Sequence, residues 1–484
     1  MIFNSIEFIL FLPIVFLLYW LVFNKKLSHQ NGLLLIASYF FYGWWSWMFL
    51  GLLFISTAMD YAYGYGVAST NRKKARLFLW LSALNNFGVL GVFKYFNFFA
   101  TELQHGFLLL GIKTNPILLQ VALPIGISFY TFHGMSYVFD IYNGKQRPIK
   151  NFIDYALFVS FFPLLVAGPI ERAHHLLPQL PKRRFFNYQQ AVEGCRLILW
   201  GLFKKVVIAD ALAVTVDSIF SNYLDLNGFT LIIGAIAFSF QIYGDFSGYS
   251  DIAIGTAKLL GFELLSNFKF PYFSRDIAEF WRRWHISLSS WFRDYLYIPM
   301  GGSKKGKLIS IRNTFVVFLI SGFWHGANWN FIAWGFIHAC GFLTLLLLNK
   351  NRKHVNTVVA QFAKTPSLIE LFQIISTFAF VSFAWIFFRA KSLTMALDYI
   401  RHIGISIWQE PGQFFTLPGG KLTIIYILPL ILIDWYLRFD ERKLRLPKTE
   451  FLRIAIYIIL SLFIAFQILT YFYSKPSSFI YFQF

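Results

Sequence analysis

The sequence predicts an all-α, polytopic membrane protein, and three observations carry that prediction. Of its 484 residues, 57% are hydrophobic, 21% aromatic and only 14% charged, whereas soluble domains are charged at about a quarter of positions. Mean hydropathy is +0.56, and 60 Phe, 25 Tyr and 15 Trp supply more apolar surface than one globular core hides, while lipid accepts it on all sides. Basic residues recur in clusters separated by apolar stretches, and about 20 helical residues suffice to cross a ~30 Å hydrocarbon core. Disorder, collagen and a soluble disulfide scaffold are excluded by this composition.

The basic clusters set the expected topology. Lys25/Lys26, Arg72 to Arg76, Lys145/Arg147/Lys150, Lys182 to Arg184, Lys304 to Arg312, Lys350 to Lys353 and Arg438 to Lys448 belong on the cytoplasmic side under the positive-inside rule, each intervening stretch going out and back. Both termini then face outward, and roughly ten to twelve spans result, with re-entrant or interfacial helices between them. The apolar run Ile6 to Phe23 has no basic region before it and no small-residue cleavage site after it, so it reads as a retained first span. Two apolar runs between 32 and 70 meet near Gly43 to Trp47, where Trp residues suit an interfacial belt. The largest external connection runs from about Arg389 to Lys421 and carries Pro411, Gly412, Pro418, Gly419 and Gly420. With no stretch long enough for a separate soluble domain and no internal repeat, residues 1–484 are expected to form one membrane-embedded domain.

Lys and Arg number 43 against 23 Asp and Glu, a formal charge of +20. The positive-inside rule accounts for this excess without nucleic acid, and basic loops also suit anionic membrane lipids or a polyanionic donor. Cys195 and Cys340 lie in apolar surroundings, which suggests neither a disulfide framework nor a metal-ligand cluster.

Polarity breaks the apolar pattern at four places. In EFWRRWHISLSSWFRDYLY (279 to 297) a 3.6-residue period puts Trp281, Trp284, Leu288, Trp291 and Tyr295 on one stripe and Arg282, His285, Ser289 and Arg293 on the other, predicting one amphipathic helix. Such a helix lies in the membrane interface with Trp anchors, or turns His285 to a polar cavity with Arg282 or Arg293 near a phosphate. Residues 313 to 349 carry no formal charge; as one straight helix they would measure about 55 Å, nearly twice the hydrocarbon thickness. The segment must therefore turn, and SGFWHGANWNF places the turn at Gly326 to Asn330. His325 lies about 20 Å of helix rise beyond Arg312, deep in the membrane, where polar backbone is tolerated only inside protein or along a water-filled cavity. An intramembrane histidine beside two Asn is a functional candidate, set against the alternative of a satisfied structural histidine. His338, among apolar neighbours, reads as structural.

The third place, QIYGDFSGYSDIAIGTAKLLGF (241 to 262), sets Asp245, Ser247, Ser250, Asp251 and Lys258 in an apolar stretch. Its carboxylates need partners, for which Lys258 or the Arg282/Arg283 pair are available. Gly244, Gly248 and Gly255 have the wrong spacing for a phosphate loop and suit close helix packing. The fourth, PLLVAGPIERAHHLLPQL (163 to 180), breaks at Gly168-Pro169 and reads as a re-entrant or interfacial loop. His174 and His175 fall on different helix faces and do not form a metal pair. There is no Gly-x-Ser-x-Gly elbow and no His-Glu-x-x-His motif.

The stretches GISFYTFHGMSYVFDIY (126 to 142), AGPIER (167 to 172), YGDFSGYSDIAIGTAKLLGF (243 to 262), FKFPYFSRDIAEFWRRWHISLSSWFRDYLYIPMGG (268 to 302) and GFWHGANWNFIAWGFIHA (322 to 339) resemble the membrane-bound O-acyltransferases. The resemblance is to the bacterial branch that serves alginate and peptidoglycan O-acetylation and D-alanyl transfer to teichoic acids. It centres on about residues 120–340; the peripheral helices in 1–119 and 341–484 resemble the family mainly in hydropathy. It implies a helical fold around a central tunnel, with His325 and His285 as the catalytic pair. It also implies acetyl-CoA as donor substrate without a further cofactor or metal, a bacterial inner-membrane location, and a separate periplasmic, SGNH-hydrolase-like acyltransferase that passes the acetyl group to an exported polysaccharide.

Within that frame, neutral His325 would take the proton of an attacking hydroxyl and His285 would orient or protonate the departing group. The basic loops around 269 to 312 would dock the anionic coenzyme. Arg282, Arg293, Ser289 and Asp245 would serve substrate binding, and Asn328 or Asn330 would donate to the oxyanion. Neither cysteine has the polar, cationic setting of a covalent acyl carrier. Two rival readings remain at this level: D-alanyl transfer from a carrier protein, and a transporter or flippase that makes no bond and lacks the support of inverted repeats.

Overall fold

Helices begin where the sequence supplies caps. Ser5 accepts from the Phe8 amide, Asn71 from Lys73 and Lys74, and Ser367 forms a reciprocal capping box with Glu370, each satisfying amides that the first turn leaves open. The computed structural model describes residues 1–484 except 167, 356, 408, 410–411, 443–446, 448, 473–479 and 481–484, and describes only the backbone at 422, 424, 471 and 472. Pro411 of the long external connection, Ala167 of the AGPIER stretch and most of the basic cluster beyond Arg442 lie outside the described residues. Among the described residues all regular structure is helical, as the composition predicts.

The chain divides into two units, Met1–Cys195 with Ala253–Leu265, and Arg196–Ile252 with Ser266–Phe484. The helices, in chain order, are α1 (Ile6–Leu17), α2 (Leu27–Gly43), α3 (Trp47–Val67), α4 (Arg72–Leu90), α5 (Phe96–Leu109), α6 (Ile127–Tyr142), α7 (Phe152–Ser160), α8 (Phe162–Leu165), α9 (Ala173–Leu176), α10 (Tyr188–Leu202), α11 (Asp210–Ser221), α12 (Gly228–Leu259), α13 (Ile277–Arg283), α14 (Ile286–Phe292), α15 (Lys307–His325), α16 (Trp329–Leu347), α17 (Leu368–Arg389), α18 (Leu393–Ser406), α19 (Gly420–Leu437) and α20 (Glu450–Phe472). A π-helix, Phe203–Ala209, joins α10 to α11. Among the described residues, six helical segments are by length and composition able to cross a bilayer: Arg72–Leu109, Gly228–Leu259, Lys307–His325, Trp329–Leu347, Leu368–Arg389 and Glu450–Thr470; shorter apolar segments are Ile6–Val22, Phe152–Leu165 and Ile425–Leu437. The chain is a polytopic helical membrane protein.

In the first unit four basic clusters gather at one end. Arg183 donates to the Asn24 carbonyl at 3.2 Å, beside Lys25 and Lys26, and Gln30 exchanges bonds with the Arg184 backbone. Asn31 joins this group to the next by donating to Asp154 and to the Leu180 carbonyl. The Tyr61 and Tyr65 hydroxyls donate to the Lys150 and Ile149 carbonyls, and the Arg72 guanidinium lies 5.7 Å from the Tyr142 ring centroid. The turn between α2 and α3 falls at Trp44–Ser46, as the Trp-rich patch predicts. The loop around Gly168-Pro169 is buried and non-helical, with Glu171 and Arg172 both buried. His174 meets Asp140 at 2.8 Å and His175 meets Glu171 at 2.7 Å, so the adjacent histidines do face different partners.

The second unit corrects the expected partners of the α12 carboxylates. Neither Lys258 nor the arginine pair reaches them: Lys258 binds Glu193 and Glu263 within the first unit, and Arg283 binds Glu279. Asp245 pairs instead with Lys205 at 2.7 Å, which also holds Asp210 at 2.7 Å, and Asp251 pairs with Lys204 at 2.6 Å. Both lysines project from the π-helix, whose wider turn interrupts the apolar run at the depth where α12 carries its acids. The glycines act as packing residues: a Cβ on Gly201 would stand 2.5 Å from the Gly248 carbonyl oxygen, and one on Gly248 would stand 2.7 Å from that of Gly201.

Removing one member of a buried ion pair strands the other, at a cost of about 3–5 kcal/mol. Lys205→Met is therefore expected to lower the thermal stability of the purified protein by that order, with Asp245→Asn in the same chain restoring part of it. Unchanged melting in the single variant would show that the Lys205 network does not hold this unit together.

Candidate active site

All the groups described next belong to the second unit. Helices α15 and α16 form a hairpin whose turn, Gly326 to Asn328, lies where the sequence places it. The two helices approach closely because Gly322 and Gly335 face each other: a Cβ on either would meet the carbonyl oxygen of Phe331 or Phe318. His325 is the last residue of α15 and is 4% exposed. Its imidazole packs against Trp324, Trp334 and Phe388, with centroid distances of 4.8, 5.2 and 5.2 Å.

The two asparagines after His325 tie the hairpin to its neighbour. Asn330 donates to the Phe387 and Ala390 carbonyls at 3.1 and 2.7 Å, and Asn328 donates to the Lys391 carbonyl at 3.2 Å. The amide hydrogens of Asn330 are thus committed to the end of α17, which leaves none to serve an oxyanion. His338 is buried among Phe280, Trp281 and Trp334.

Segment 279–297 departs from the single amphipathic helix that its periodicity predicts. It forms α13 and α14, broken at Trp284 and His285, with a π-helix Arg293–Tyr297 following. His285 has φ 42° and ψ 54°, a left-handed conformation that costs a non-glycine residue about 1–2 kcal/mol. Tertiary hydrogen bonds support it: the Ile286 amide donates to the Asn267 carbonyl and the Lys269 amide to the Arg283 carbonyl, both at 2.9 Å. The loop at 267–269 thereby replaces bonds that a continuous helix would have made internally.

The break separates residues that a continuous helix would have aligned. Of the stripe Trp281, Trp284, Leu288, Trp291 and Tyr295, the first four are buried and Tyr295 is half-buried. His285 is buried too, at 1% exposure, while the Arg293 side chain is 63% exposed and pairs with Asp294. Arg282 donates to the Asn351 carbonyl at 3.0 Å, and the Ser289 amide donates to the His285 carbonyl at 3.0 Å. Asp245 is committed to Lys205. The structure therefore does not gather Arg282, Arg293, Ser289 and Asp245 around one substrate position. Beside the break, burial pushes the Glu279 carboxyl up, but hydrogen bonds from Arg275 and the Arg283 charge outweigh it and hold the group below its usual range.

His285 has its own set of neighbours. Its Nδ1 lies 2.9 Å from Asn267 Oδ1, Ser287 Oγ donates to that same oxygen at 2.9 Å, and Asn267 Nδ2 donates to Ser250 Oγ at 3.0 Å. Phe246 on α12 meets the imidazole edge-on at 4.6 Å, and Trp324 lies 6.2 Å from it. Trp324 is thus the ring that His285 and His325 share, which brings the two sequence-predicted histidines to one aromatic-walled region. Burial pushes the His285 imidazole down to about 3, so it is neutral near pH 7. Sequence reasoning missed Asn267, Ser287 and the spacer role of Trp324. A lone asparagine in the apolar run LLSNFKF was the only signal for the first.

The membrane-bound O-acyltransferase family profile matches residues 33–388. A probable alginate O-acetylase of Pseudomonas putida is 40% identical over 91% of this chain and 87% of its own length. The peptidoglycan O-acetyltransferase of Helicobacter pylori is 34% identical over 100% of this chain and 98% of its own. A teichoic acid D-alanyltransferase of Streptococcus thermophilus is 30% identical over 48% of this chain and 59% of its own. With the profile spanning most of the chain and relatives aligned along nearly all of it, this protein belongs to the membrane-bound O-acyltransferase family and is an O-acyltransferase.

Proposed function

We propose that the protein takes an acetyl group from cytoplasmic acetyl-CoA and delivers it through a tunnel in the bacterial inner membrane, for O-acetylation of an exported polysaccharide of the alginate or peptidoglycan kind. The observation that carries this reading is the meeting of His285 and His325 at Trp324, both imidazoles buried, in a chain aligned along 91–100% of its length with O-acetylating relatives. Alignment with the D-alanyltransferase covers only 48% of the chain, which favours acetyl over D-alanyl.

In the proposed reaction the hydroxyl oxygen attacks the thioester carbonyl, its proton passes to an imidazole, the C–S bond breaks and the thiolate receives a proton. Acetyl-CoA and ROH become CoA-SH and the O-acetyl ester, so no other co-reactant is needed. Histidine proton transfer of this kind contributes about 10²- to 10⁴-fold. Gathering of basic clusters at one end of the first unit supports a cytoplasmic face there and an external N-terminus, since the Met1 amino group bonds Phe41, at the far end of α2 from Lys26. A separate periplasmic acyltransferase is proposed to pass the acetyl group to the polymer, because the acceptor is exported whereas His285 and His325 are both buried within the membrane protein.

Purified protein given radiolabelled acetyl-CoA and an alginate oligosaccharide, with and without periplasmic extract, is expected to release thiol and transfer label. His285→Ala and His325→Ala should each lower turnover by at least about 10². Undiminished turnover in both folded variants would remove the histidines from the mechanism; no thiol release by wild-type protein under any of these conditions would remove acetyl-CoA as the donor.

The His285 environment adds a stability prediction. An unfolded histidine takes up a proton near 6.5, but native His285, which lies outside the long apolar helices, does so only near 3. The native state therefore loses stability as pH falls through that window, by up to about 1.4 kcal/mol per pH unit. Melting curves between pH 7 and pH 5 should show a shallower pH slope for His285→Gln than for wild type; equal slopes would show that His285 is not buried as a neutral base.

A further inference from the structure

We infer that Asn267 is a positioning residue that fixes the tautomer of His285, with the proton on Nδ1 and the lone pair on Nε2; this rests on the acyl-transfer reading above. Three neighbours orient the Asn267 amide. Its oxygen faces the Ser287 hydroxyl and His285 Nδ1, each at 2.9 Å, and its nitrogen faces Ser250 Oγ at 3.0 Å. Because Oδ1 only accepts, the hydrogen shared with the imidazole resides on Nδ1. A neutral imidazole carrying its proton there has its lone pair on Nε2.

The rest of the environment holds that arrangement in place. The Asn267 backbone carbonyl accepts from the Ile286 amide, so one residue secures both the main chain and the ring at the helix break. Phe246 closes one side of the imidazole and Trp324 lies towards His325. Turning the ring by 180° would put a carbon where Nδ1 stands and forfeit the bond to Asn267 in a buried site. His285 thus keeps one tautomer, with Nε2 as its proton-accepting or hydrogen-bond-accepting nitrogen in acyl transfer.

Asn267→Ala and Asn267→Asp separate this role from a structural one. Aspartate keeps an acceptor against Nδ1, whereas alanine keeps none. In the thiol-release assay with acetyl-CoA, Asn267→Ala is expected to lose about 10²-fold in kcat with KM for acetyl-CoA little changed; Asn267→Asp is expected to retain most of the wild-type rate. Selective ¹⁵N labelling of histidine rings, with His285→Ala subtracted, should show the Nδ1–H form in wild type and its loss in Asn267→Ala. Wild-type kcat in folded Asn267→Ala, or an Nε2–H signal in wild type, would overturn the inference. His285→Ala assayed in parallel distinguishes the two failures: if it is inactive while Asn267→Ala is fully active, only the positioning role falls, and if it is active the acid–base reading itself falls.

Discussion

Inside a membrane protein, a polar group removed from water has to be satisfied by the chain itself, and this requirement organises the second unit around α12. Tyr243 donates to Asp434, Lys204 binds Ser247 and Asp251, Lys205 binds Asp245, and Asn267 donates to Ser250. One long apolar helix thus receives partners from the π-helix, from α19 and from the loop that supports His285. The lysine–aspartate pairs secure α12, and α12 in turn presents Phe246 and Ser250 at the histidine site.

Local conformation at His285 depends on that support. A left-handed histidine between two short helices is not a conformation the local sequence prefers, since α13 and α14 together carry an uninterrupted helical periodicity. Backbone bonds from 267–269 and the side chain of Asn267 compensate for the bonds lost at the break. His325 is placed differently, at the end of a regular helix whose termination is written into Gly326 and the polar turn that follows. The site therefore combines one histidine held by helix geometry with one held by tertiary contacts, both enclosed by aromatic rings that lower the local dielectric.

The hairpin at 307–347 was legible in the sequence because a charge-free run too long for one span has to turn, and Gly326, Asn328 and Asn330 mark where. The α2–α3 turn and the glycine packing of α12 were legible for similar local reasons. The helix break at His285 was not, because the same Trp and Arg spacing fits a continuous helix equally well. Nor were Lys204 and Lys205 recognisable as partners for Asp251 and Asp245: their contacts cross 47 and 40 positions of sequence, and only the folded arrangement pairs them. Asn267 escaped notice for the same reason, its importance lying in what it touches rather than in the residues beside it.

The most direct measurement is a structure of the protein with a non-hydrolysable acetyl-thioether analogue of coenzyme A. Acyl transfer at the paired histidines requires the acetyl carbonyl carbon to seat beside His285 Nε2 and His325, with room for an attacking oxygen at about 3–3.5 Å from that carbon. An acetyl group found in that position would establish the site. An analogue bound in order elsewhere in the protein, with its acetyl group remote from both imidazoles, would contradict it.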